Sequence, residues 1–301
     1  MKNNSNKTLV VLTGPTAVGK TDLSVSIAKE LGVPIISADA RQFYKELKIG
    51  VASPDKHILN AVKHYFIGHL SAKDYYNASM FENQALDVLS DVFKNSDYAL
   101  VTGGSGLYID ALCSGIDELP DINEEIRNEV KKFYSDNGIE GLRLKLKSID
   151  PEFYKIVDIA NPNRMIRAIE VFIMTGQKFS SLRTHTKKKR NFDIKFVILN
   201  RNREDLYHRI NTRVDIMVKE GLIEEMLDVK HLREFNALNT VGYKELFFWL
   251  DNRYTLKEAL EKIKTNSRRY AKRQITWFKK YSEAKWIHPD NQNEILNYIC
   301  S

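Results

Sequence analysis

The segment from Gly14 to Thr21 combines residue types that bind phosphate. It fits the pattern G-x-x-x-x-G-K-S/T, with the members Gly14, Pro15, Thr16, Ala17, Val18, Gly19, Lys20 and Thr21. Glycines let the backbone curl so that its N–H groups point at phosphate oxygens, and the following helix N-terminus adds a positive dipole. The ammonium of Lys20 can reach the terminal phosphate, and the Thr21 hydroxyl can ligate Mg²⁺. The segment therefore predicts a site for a diphosphate-containing ligand together with Mg²⁺.

Asp39 is the acidic residue that could act beside this loop. Nucleoside triphosphatases with such a loop usually hold Mg²⁺ with an acid at a strand end. Here the apolar segment 98–102 runs into Gly103 and Gly104 without an acid, whereas Asp39 follows the apolar segment 33–37. Because strand ends in an open α/β sheet line the ligand crevice, we expect Asp39 to face the phosphate loop. A carboxylate at the start of a loop can also cap a helix, and this alternative stays open.

Strands and helices alternate around these residues. Short apolar runs rich in β-branched residues predict strands at 8–13, 33–37, 98–102 and 194–199. Apolar residues at helical spacing predict helices at 23–31, 78–93, 123–134, 139–147, 163–176, 203–220, 222–233 and 256–281. Strands separated by helices predict an α/β fold, a parallel sheet flanked by helices like that of the P-loop nucleoside triphosphatases.

The chain between the third and fourth predicted strands is too long to be one crossover connection. Its apolar spacing is helical at 123–134, 139–147 and 163–176. We therefore predict a P-loop core domain made of residues 1–117 and 191–301, which includes the C-terminal helices. Residues 118–190 are predicted to form an inserted all-helical subdomain.

Composition limits the class of protein. The 301 residues are 43% hydrophobic and 28% charged, which is ample for a large core, and no apolar run of about 18 residues predicts a membrane span. Residues 1–7 are polar without an apolar signal region, so we expect a cytoplasmic protein. The cysteines, Cys113 and Cys300, lie far apart, and no Cys/His group has zinc-ligand spacing. We expect two reduced thiols.

The formal charge of +7 is unevenly distributed. Residues 261–290 hold nine Lys or Arg and three acids, and residues 187–190 form a second basic run. A basic balance of this kind points towards nucleic acid, although a charged run is also commonly a solvated face.

Further motifs follow the phosphate loop along the chain. They are Asp39-Ala40-Arg41-Gln42-Phe43-Tyr44 with Ile49-Gly50-Val51-Ala52, Gly103-Gly104-Ser105-Gly106-Leu107-Tyr108, Leu119-Pro120-Asp121 with Ile126-Arg127, Asn161-Pro162-Asn163-Arg164 with Arg167-Ala168-Ile169-Glu170-Val171 and Thr175-Gly176, Arg209 with Arg213, Met217 and Gly221-Leu222, Gly242-Tyr243-Lys244-Glu245, and Tyr270 to Phe278. From residue 14 to residue 278, and in this order, the chain resembles the tRNA dimethylallyltransferases (tRNA isopentenyltransferases) of the bacterial type.

The resemblance implies a prenyl transfer. A dimethylallyl group would pass from dimethylallyl diphosphate to the N6 amine of the adenosine just 3′ of the anticodon, in tRNAs reading codons that begin with U. This forms N6-isopentenyladenosine and releases diphosphate. Asp39 resembles the general base of the family, and Lys20, Arg213, the loop amides and Mg²⁺ would stabilise the leaving diphosphate. Ser105 stands where the family usually has Thr, and its hydroxyl can still donate to the bridging oxygen.

The chain departs from the family pattern at two other places. Ala40 stands where Ser is usual, which removes a hydroxyl from the adenine pocket, and His64-Tyr65 stands where two His commonly occur. Neither change touches the phosphate machinery.

The resemblance also implies an RNA surface. A base in an anticodon stem-loop reaches a buried diphosphate only if it is flipped out, and Lys and Arg contacts to phosphate would position the loop. Gln42 is the expected reader of the adenine edge. The helical face with Arg269, Lys272, Arg273 and Lys280 and the inserted subdomain would hold the RNA. The implied tRNA contacts are Asp39, Ala40, Arg41, Gln42, Ser105, Arg127, Asn163, Arg164, Arg167, Lys244, Arg269, Lys272, Arg273 and Gln274.

Three other functions remain open from the sequence. An adenylate isopentenyltransferase acting on free AMP, ADP or ATP shares the fold but would need neither the basic C-terminal helix nor a large insertion. A P-loop small-molecule kinase would bind ATP in the loop and usually carries an arginine-rich lid. An RNA-binding GTPase-like module would need a guanine-specifying N/T-K-x-D motif, which the sequence lacks. We expect a monomer, because one two-domain chain can enclose one tRNA.

Overall fold

A computed structural model describes residues 7–117, 119–121, 123–184 and 186–301. Residues 1–6, on which the cytoplasmic expectation partly rests, lie outside the described residues. The chain divides into two compact units, one formed by Met1–Ser114 with Lys189–Ser301 and the other by Gly115–Lys188. Within the described ranges, no helix has both the length and the apolar character needed to cross a membrane.

The larger unit is built on a parallel sheet of six strands among the described residues. They are β1 (Thr8–Thr13), β2 (Ile35–Ser37), β3 (His64–Tyr65), β4 (Tyr98–Gly103), β5 (Asp193–Leu199) and β6 (Lys285–Ile287), in the order β3-β2-β4-β1-β5-β6. Thr13 is paired with Gly103 and Ser37 with Thr102, so the strands β1, β2 and β4 end level with one another. The loops that follow these three strands therefore leave the sheet side by side.

Helices cover both faces of this sheet. Those of the larger unit are α1 (Lys20–Leu31), α2 (Lys56–Ala61), α3 (Ala78–Asn95), α4 (Gly106–Ser114), α9 (Arg203–Lys219), α10 (Leu222–Val229), α11 (Tyr243–Leu250), α12 (Leu256–Phe278) and α13 (Gln292–Cys300). Leu9 and Val11 pack into one buried cluster and Val10 and Leu12 into another. A strand buried on both faces needs this continuous apolar run, because successive side chains point to opposite sides.

The smaller unit is helical in its described part. Its helices are α5 (Glu124–Ile149), α6 (Pro151–Ile156), α7 (Pro162–Thr175) and α8 (Phe179–Leu182). The α5 helix is interrupted at Gly138, whose φ of 64° and ψ of −168° leave the helical region. The buried Asp150 ties two helices together, because its carboxylate accepts hydrogen bonds from the Phe153 N–H (3.0 Å) and the Ser180 N–H (2.7 Å).

The predicted α/β class with a parallel, P-loop-like sheet is confirmed. The sequence patterns missed β3 and β6, whose two and three residues are too few to show a period. They also extended the last basic helix to residue 281, whereas α12 ends at Phe278. Lys280 therefore lies beyond the helical face to which it was assigned, and this part of the prediction was wrong.

Candidate functional site

The phosphate loop joins the end of β1 to the start of α1. Gly14 and Gly19 have φ values of 152° and 110°, and Gly19 is the residue before the first turn of the helix. A Cβ at Gly14 would lie 2.7 Å from the carbonyl oxygen of Leu199, so a side chain there would collide with the end of β5. Ala17 also adopts a left-handed conformation, with φ of 62°. The glycines at 14 and 19 thus allow a curled loop against the sheet edge.

Lys20 folds back over this loop. Its ammonium donates to the carbonyl oxygens of Gly14 and Pro15, both at 2.9 Å. Burial lowers the pKa of Lys20 to about 8, an effect that the Asp39 carboxylate opposes and the Arg213 guanidinium reinforces. The acceptors of this ammonium among the described residues are neutral carbonyls, so a bound anion would favour its charged form.

Three arginines hold three successive residues of the loop from one side. Arg201, just before α9, donates to the Val18 carbonyl at 2.9 Å. On α9, Arg209 donates to the Ala17 carbonyl at 2.9 Å, and Arg213 donates to the Thr16 hydroxyl at 3.4 Å. Burial lowers the pKa of Arg213, again opposed by Asp39. Arg201 had no predicted role, and Arg209 was predicted only as part of a family motif. No local signal identifies these contacts, because each spans more than 180 positions.

Asp39 begins a tight turn after β2. Its carboxylate accepts the Arg41 N–H at 3.1 Å, and its carbonyl accepts the Gln42 N–H at 3.0 Å. The Ser105 hydroxyl accepts the Ala40 N–H at 2.9 Å, while the Ser105 N–H donates to the Ala38 carbonyl at 3.2 Å. The turn after β2 and the turn after β4 therefore hold each other in position.

Gln274, on α12, braces two of these loops. Its Oε1 accepts the Thr16 N–H and its Nε2 donates to the Gly104 carbonyl, each at 2.9 Å. The side chain is buried, with 5% of the residue exposed. The predicted contact of Gln274 with RNA stays a prediction, but both ends of its amide are engaged within the protein.

These elements enclose a cavity of about 1110 Å³ in the larger unit. Of the predicted site residues, it is lined by Thr16, Ala17, Gly19, Lys20, Thr21, Asp39, Ala40, Arg41, Gln42, Ser105, Arg213, Arg273 and Gln274. Gly14, Pro15 and Val18 belong to the loop but are not in this lining, and Val18 is fully buried beneath it. The cavity thus brings the Asp39 carboxylate, the Ser105 hydroxyl and the cations of Lys20, Arg213 and Arg273 to one space.

Two predicted RNA-binding residues of the turn after β2 have partners within the protein. The Arg41 guanidinium donates to the carbonyl oxygens of Asn236 (2.6 Å) and Asn239 (3.3 Å). The Gln42 Nε2 donates to the Ala52 carbonyl at 2.9 Å and to the Val51 carbonyl at 3.4 Å. Both side chains line the cavity wall and also fix neighbouring loops.

The basic helix α12 presents most of its predicted contacts to solvent. Arg269, Lys272 and Arg273 are exposed, and Arg273 also lines the cavity. Lys244, on α11, is exposed as well. Lys280, beyond the helix end, pairs with Asp110 and lies 4.2 Å from the centre of the Trp277 ring.

Four predicted RNA-binding residues lie in the smaller unit. Asn163 and Arg164 are exposed in the first turn of α7. The Arg127 guanidinium pairs with the buried Glu170 carboxylate at 2.9 Å, and Arg167 lies 3.6 Å from the same carboxylate. Arg167 also donates to the Pro120 carbonyl. Arg127 and Arg167 therefore stabilise this unit internally, besides any contact with RNA.

The donor set of the cavity suits Mg²⁺ that is shared with a phosphate ligand. The Thr21 hydroxyl and the Asp39 carboxylate line the same space, and both are hard oxygen donors. Mg²⁺ is commonly bound through one or two carboxylates together with ligand phosphates. The residues thus fit the metal, which would be held by the Thr21 hydroxyl together with ligand phosphates, while the Asp39 carboxylate in the same cavity keeps its role as the base.

Comparison with known proteins identifies the family. The sequence model described as IPP transferase matches residues 42–281. The tRNA dimethylallyltransferase 1 of Phocaeicola vulgatus is 50% identical over 294 residues, which cover 98% of each chain. Its namesake in Bacteroides fragilis is 50% identical over 293 residues, covering 97% of each chain.

A solved structure agrees with this assignment. The full-length tRNA isopentenylpyrophosphate transferase from Bacillus halodurans is 34% identical, with a TM-score of 0.72, over 98% of this chain and 96% of that one. With a matching family model over most of its length and relatives at half identity, the chain belongs to the IPP transferase family.

Proposed function

We propose that the chain transfers a dimethylallyl group from dimethylallyl diphosphate to the N6 amine of the adenosine 3′ of the anticodon, in tRNAs that read codons beginning with U. The observation that carries this proposal is the cavity that joins Asp39 to the phosphate loop. A phosphate-binding loop beside the Asp39 carboxylate suits a reaction that releases diphosphate and a proton. The family to which the chain belongs supports the same reaction.

Four events make up the transfer. The N6 lone pair forms a bond to the allylic carbon, and the bond from that carbon to the bridging oxygen breaks. The electron pair of the broken bond stays on that oxygen, which leaves as part of diphosphate. One of the two amine protons passes to the Asp39 carboxylate. The other proton remains on nitrogen, so the product is a secondary amine.

The phosphate loop stabilises the charge that grows on the leaving group. Lys20 and Arg213 are half-buried cations beside the loop, and Ser105 offers a hydroxyl to the same cavity. Donors fixed before the reaction are worth more in a buried site than in water, because they need no reorganisation. When bound, Mg²⁺ would be held by Thr21 and would supply further positive charge to the diphosphate.

The RNA side rests on the exposed cations of α12 and on Lys244. Arg273 lies at the cavity edge, and Arg269 and Lys272 are exposed on the same helix. Such residues contact phosphate and hold the register of the RNA, while the flipped adenine enters the cavity. We further propose that residues of the smaller unit, including Asn163 and Arg164, contact the anticodon stem-loop. A cytoplasmic monomer is the form in which we expect the chain to act.

Nucleoside analysis tests the function. Unmodified tRNA is incubated with the protein, Mg²⁺ and dimethylallyl diphosphate, digested to nucleosides and separated against standards. We expect N6-isopentenyladenosine from tRNAs that read codons beginning with U, and unmodified adenosine from other tRNAs. If all tRNAs yield only adenosine while ATP is consumed with a small-molecule acceptor, the chain is instead a kinase.

A further inference from the structure

Glu225, on α10, is hydrogen-bonded to the main chain of the loop at residues 48–50. Its Oε2 accepts the N–H groups of Lys48 (2.9 Å) and Ile49 (2.8 Å), and its Oε1 accepts the N–H of Gly50 (2.9 Å). The Tyr243 hydroxyl donates to the same Oε1 at 2.6 Å. One carboxylate thus satisfies four donors, three of them successive main-chain groups. Such charge-assisted hydrogen bonds are stronger than neutral ones.

The ring of Tyr243 packs against the same loop at Gly50. This tyrosine is fully buried, and a Cβ at Gly50 would lie 2.6 Å from its ring. The loop can therefore lie this close to the ring only with glycine at that position. Burial and the neighbouring Glu225 carboxylate raise the pKa of the Tyr243 hydroxyl, which stays a donor.

The loop in turn fixes Gln42. Gly50, Val51 and Ala52 line the cavity, whereas Glu225 and Tyr243 are not in its lining. The carbonyl oxygens of Val51 and Ala52 both accept from the Gln42 side chain, so the group that faces them must be the NH₂. The amide oxygen of Gln42 then points the other way and, among the described residues, has no donor partner.

We propose that Glu225 is a positioning residue. By holding the loop it sets the direction of the Gln42 amide, so that the amide oxygen accepts a hydrogen bond from the bound base. This inference rests on the proposed function. The base edges of adenine carry one donor group, the N6 amine. Asp39 takes the amine proton that is lost, and the Gln42 oxygen accepts a hydrogen bond from the N–H that is retained. The two residues belong to one turn, because the Gln42 N–H donates to the Asp39 carbonyl.

Inosine in place of the target adenosine tests the inference. Inosine presents a carbonyl oxygen where adenosine has the amine, so it meets the Gln42 oxygen as a second acceptor. The measured quantity is the dissociation constant of an inosine stem-loop divided by that of the matched adenosine stem-loop. We expect this ratio to exceed one in the wild type and to fall about fivefold in Glu225→Gln, the size of one neutral hydrogen bond. The KM for dimethylallyl diphosphate is expected to stay unchanged.

Two further variants separate positioning from a general loss of structure. Glu224→Gln removes the same charge from the neighbouring, exposed position of α10 and is expected to keep the wild-type ratio. In the Gln42→Ala background the ratio is already reduced, and adding Glu225→Gln should reduce it no further, because the two residues act in series. If Glu225→Gln does not fold, Tyr243→Phe keeps the ring under Gly50, removes one donor and should lower the ratio by a smaller factor.

The outcomes that overturn the inference are distinct from failure of the proposed function. A wild-type ratio near one overturns it, as does an unchanged ratio in folded Glu225→Gln. Equal reductions by Glu225→Gln with and without Gln42 would also overturn it. In each case the wild type still transfers labelled dimethylallyl groups to the adenosine stem-loop. If the wild type transfers no label to that RNA, the proposed function itself fails.

Discussion

The Oε1 of Gln274 accepts a hydrogen bond of 2.9 Å from the main-chain N–H of Thr16, 258 positions away in the sequence. The bond links the basic helix α12 to the phosphate loop. The Nε2 of the same amide donates to the Gly104 carbonyl. Gln274 therefore connects the cation-rich helix α12 to both the phosphate loop and the turn after β4. The buried side chain of Gln274 thus connects the helix that we propose to contact RNA with the loop that we propose to bind the donor.

Gln274→Ala is expected to weaken donor binding. The substitution leaves the Thr16 N–H and the Gly104 carbonyl without this partner, and each buried polar group left unpaired costs about 1–3 kcal/mol. We expect the KM for dimethylallyl diphosphate to rise about tenfold in steady-state assays. Thr276→Ala, at an exposed position of the same helix, is the control and should leave this KM unchanged. Equal KM values in the two variants would mean that the brace does not support the loop.

Lys20 makes donor binding depend on pH. Its pKa in the free protein is about 8, below the ordinary value of 10.5 for lysine, because the group is buried. The charged form that binds diphosphate is therefore lost as the pH rises through about 8. We expect kcat/KM for the donor to fall above that pH, whereas Lys20→Arg, which stays charged, should show no such fall. A flat wild-type profile between pH 7 and 10 would refute the assignment.

The same shift affects stability in the opposite sense. Between about pH 8 and 10.5 the unfolded chain carries the Lys20 proton and the folded chain does not. The free energy of unfolding of the ligand-free protein therefore gains a contribution from this group as the pH rises through that window. Chemical denaturation of the wild type and of Lys20→Met at pH 7.5 and pH 9.5 measures it, and the gain should be absent from the variant.

Asp39→Asn is expected to remove the base and keep the binding site. The amide retains an oxygen that can accept the Arg41 N–H, so the turn after β2 should persist. Loss of a positioned base typically costs 10²–10⁴-fold in rate. We expect single-turnover transfer to slow by at least about 100-fold, with the dissociation constant for tRNA within about twofold of wild type. Turnover at the wild-type rate would exclude Asp39 as the base.

Arg273→Glu is expected to weaken tRNA binding and to flatten its dependence on salt. Each phosphate contact that is lost lowers the slope of log K against log salt concentration by about one. Lys257→Glu makes the same charge change on an exposed position of α12, 16 residues or about 24 Å along the helix, and serves as the control. Filter binding between about 50 and 300 mM salt, a roughly sixfold range of concentration, measures both slopes. Equal slopes in the wild type and Arg273→Glu would mean that Arg273 contacts no phosphate.

The parts of the fold that follow from local pattern could be predicted from the sequence. The apolar runs at β1 and β5 and the glycine-rich turn before α1 contain their own signals, since burial on both faces demands apolar residues throughout. The edge strands β3 and β6 could not be found in this way. They are held by parallel pairing to β2 and β5, a property of the assembled sheet rather than of His64–Tyr65 or Lys285–Ile287.

Some residues of the candidate site could likewise be predicted from local pattern, and others could not. Lys20 and Thr21 follow from one contiguous motif, and Asp39 from its position after a strand. The role of Gln274 as a brace, the Arg201 contact with Val18 and the Glu225 contacts with the 48–50 main chain depend on residues that are at least 170 positions apart. Spacing along a single sequence holds no information about such contacts. They become visible only when the parallel sheet brings its loops to one edge.

The choice of acceptor is the most direct test of prenyl transfer to tRNA. Wild-type protein is mixed with Mg²⁺ and radiolabelled dimethylallyl diphosphate, with unmodified tRNA in one reaction and AMP in a parallel one, and each acceptor is separated and counted. We expect label in the tRNA and none in AMP. Label in AMP alone would assign the chain to free-nucleotide prenylation, and label in neither would contradict prenyl transfer altogether.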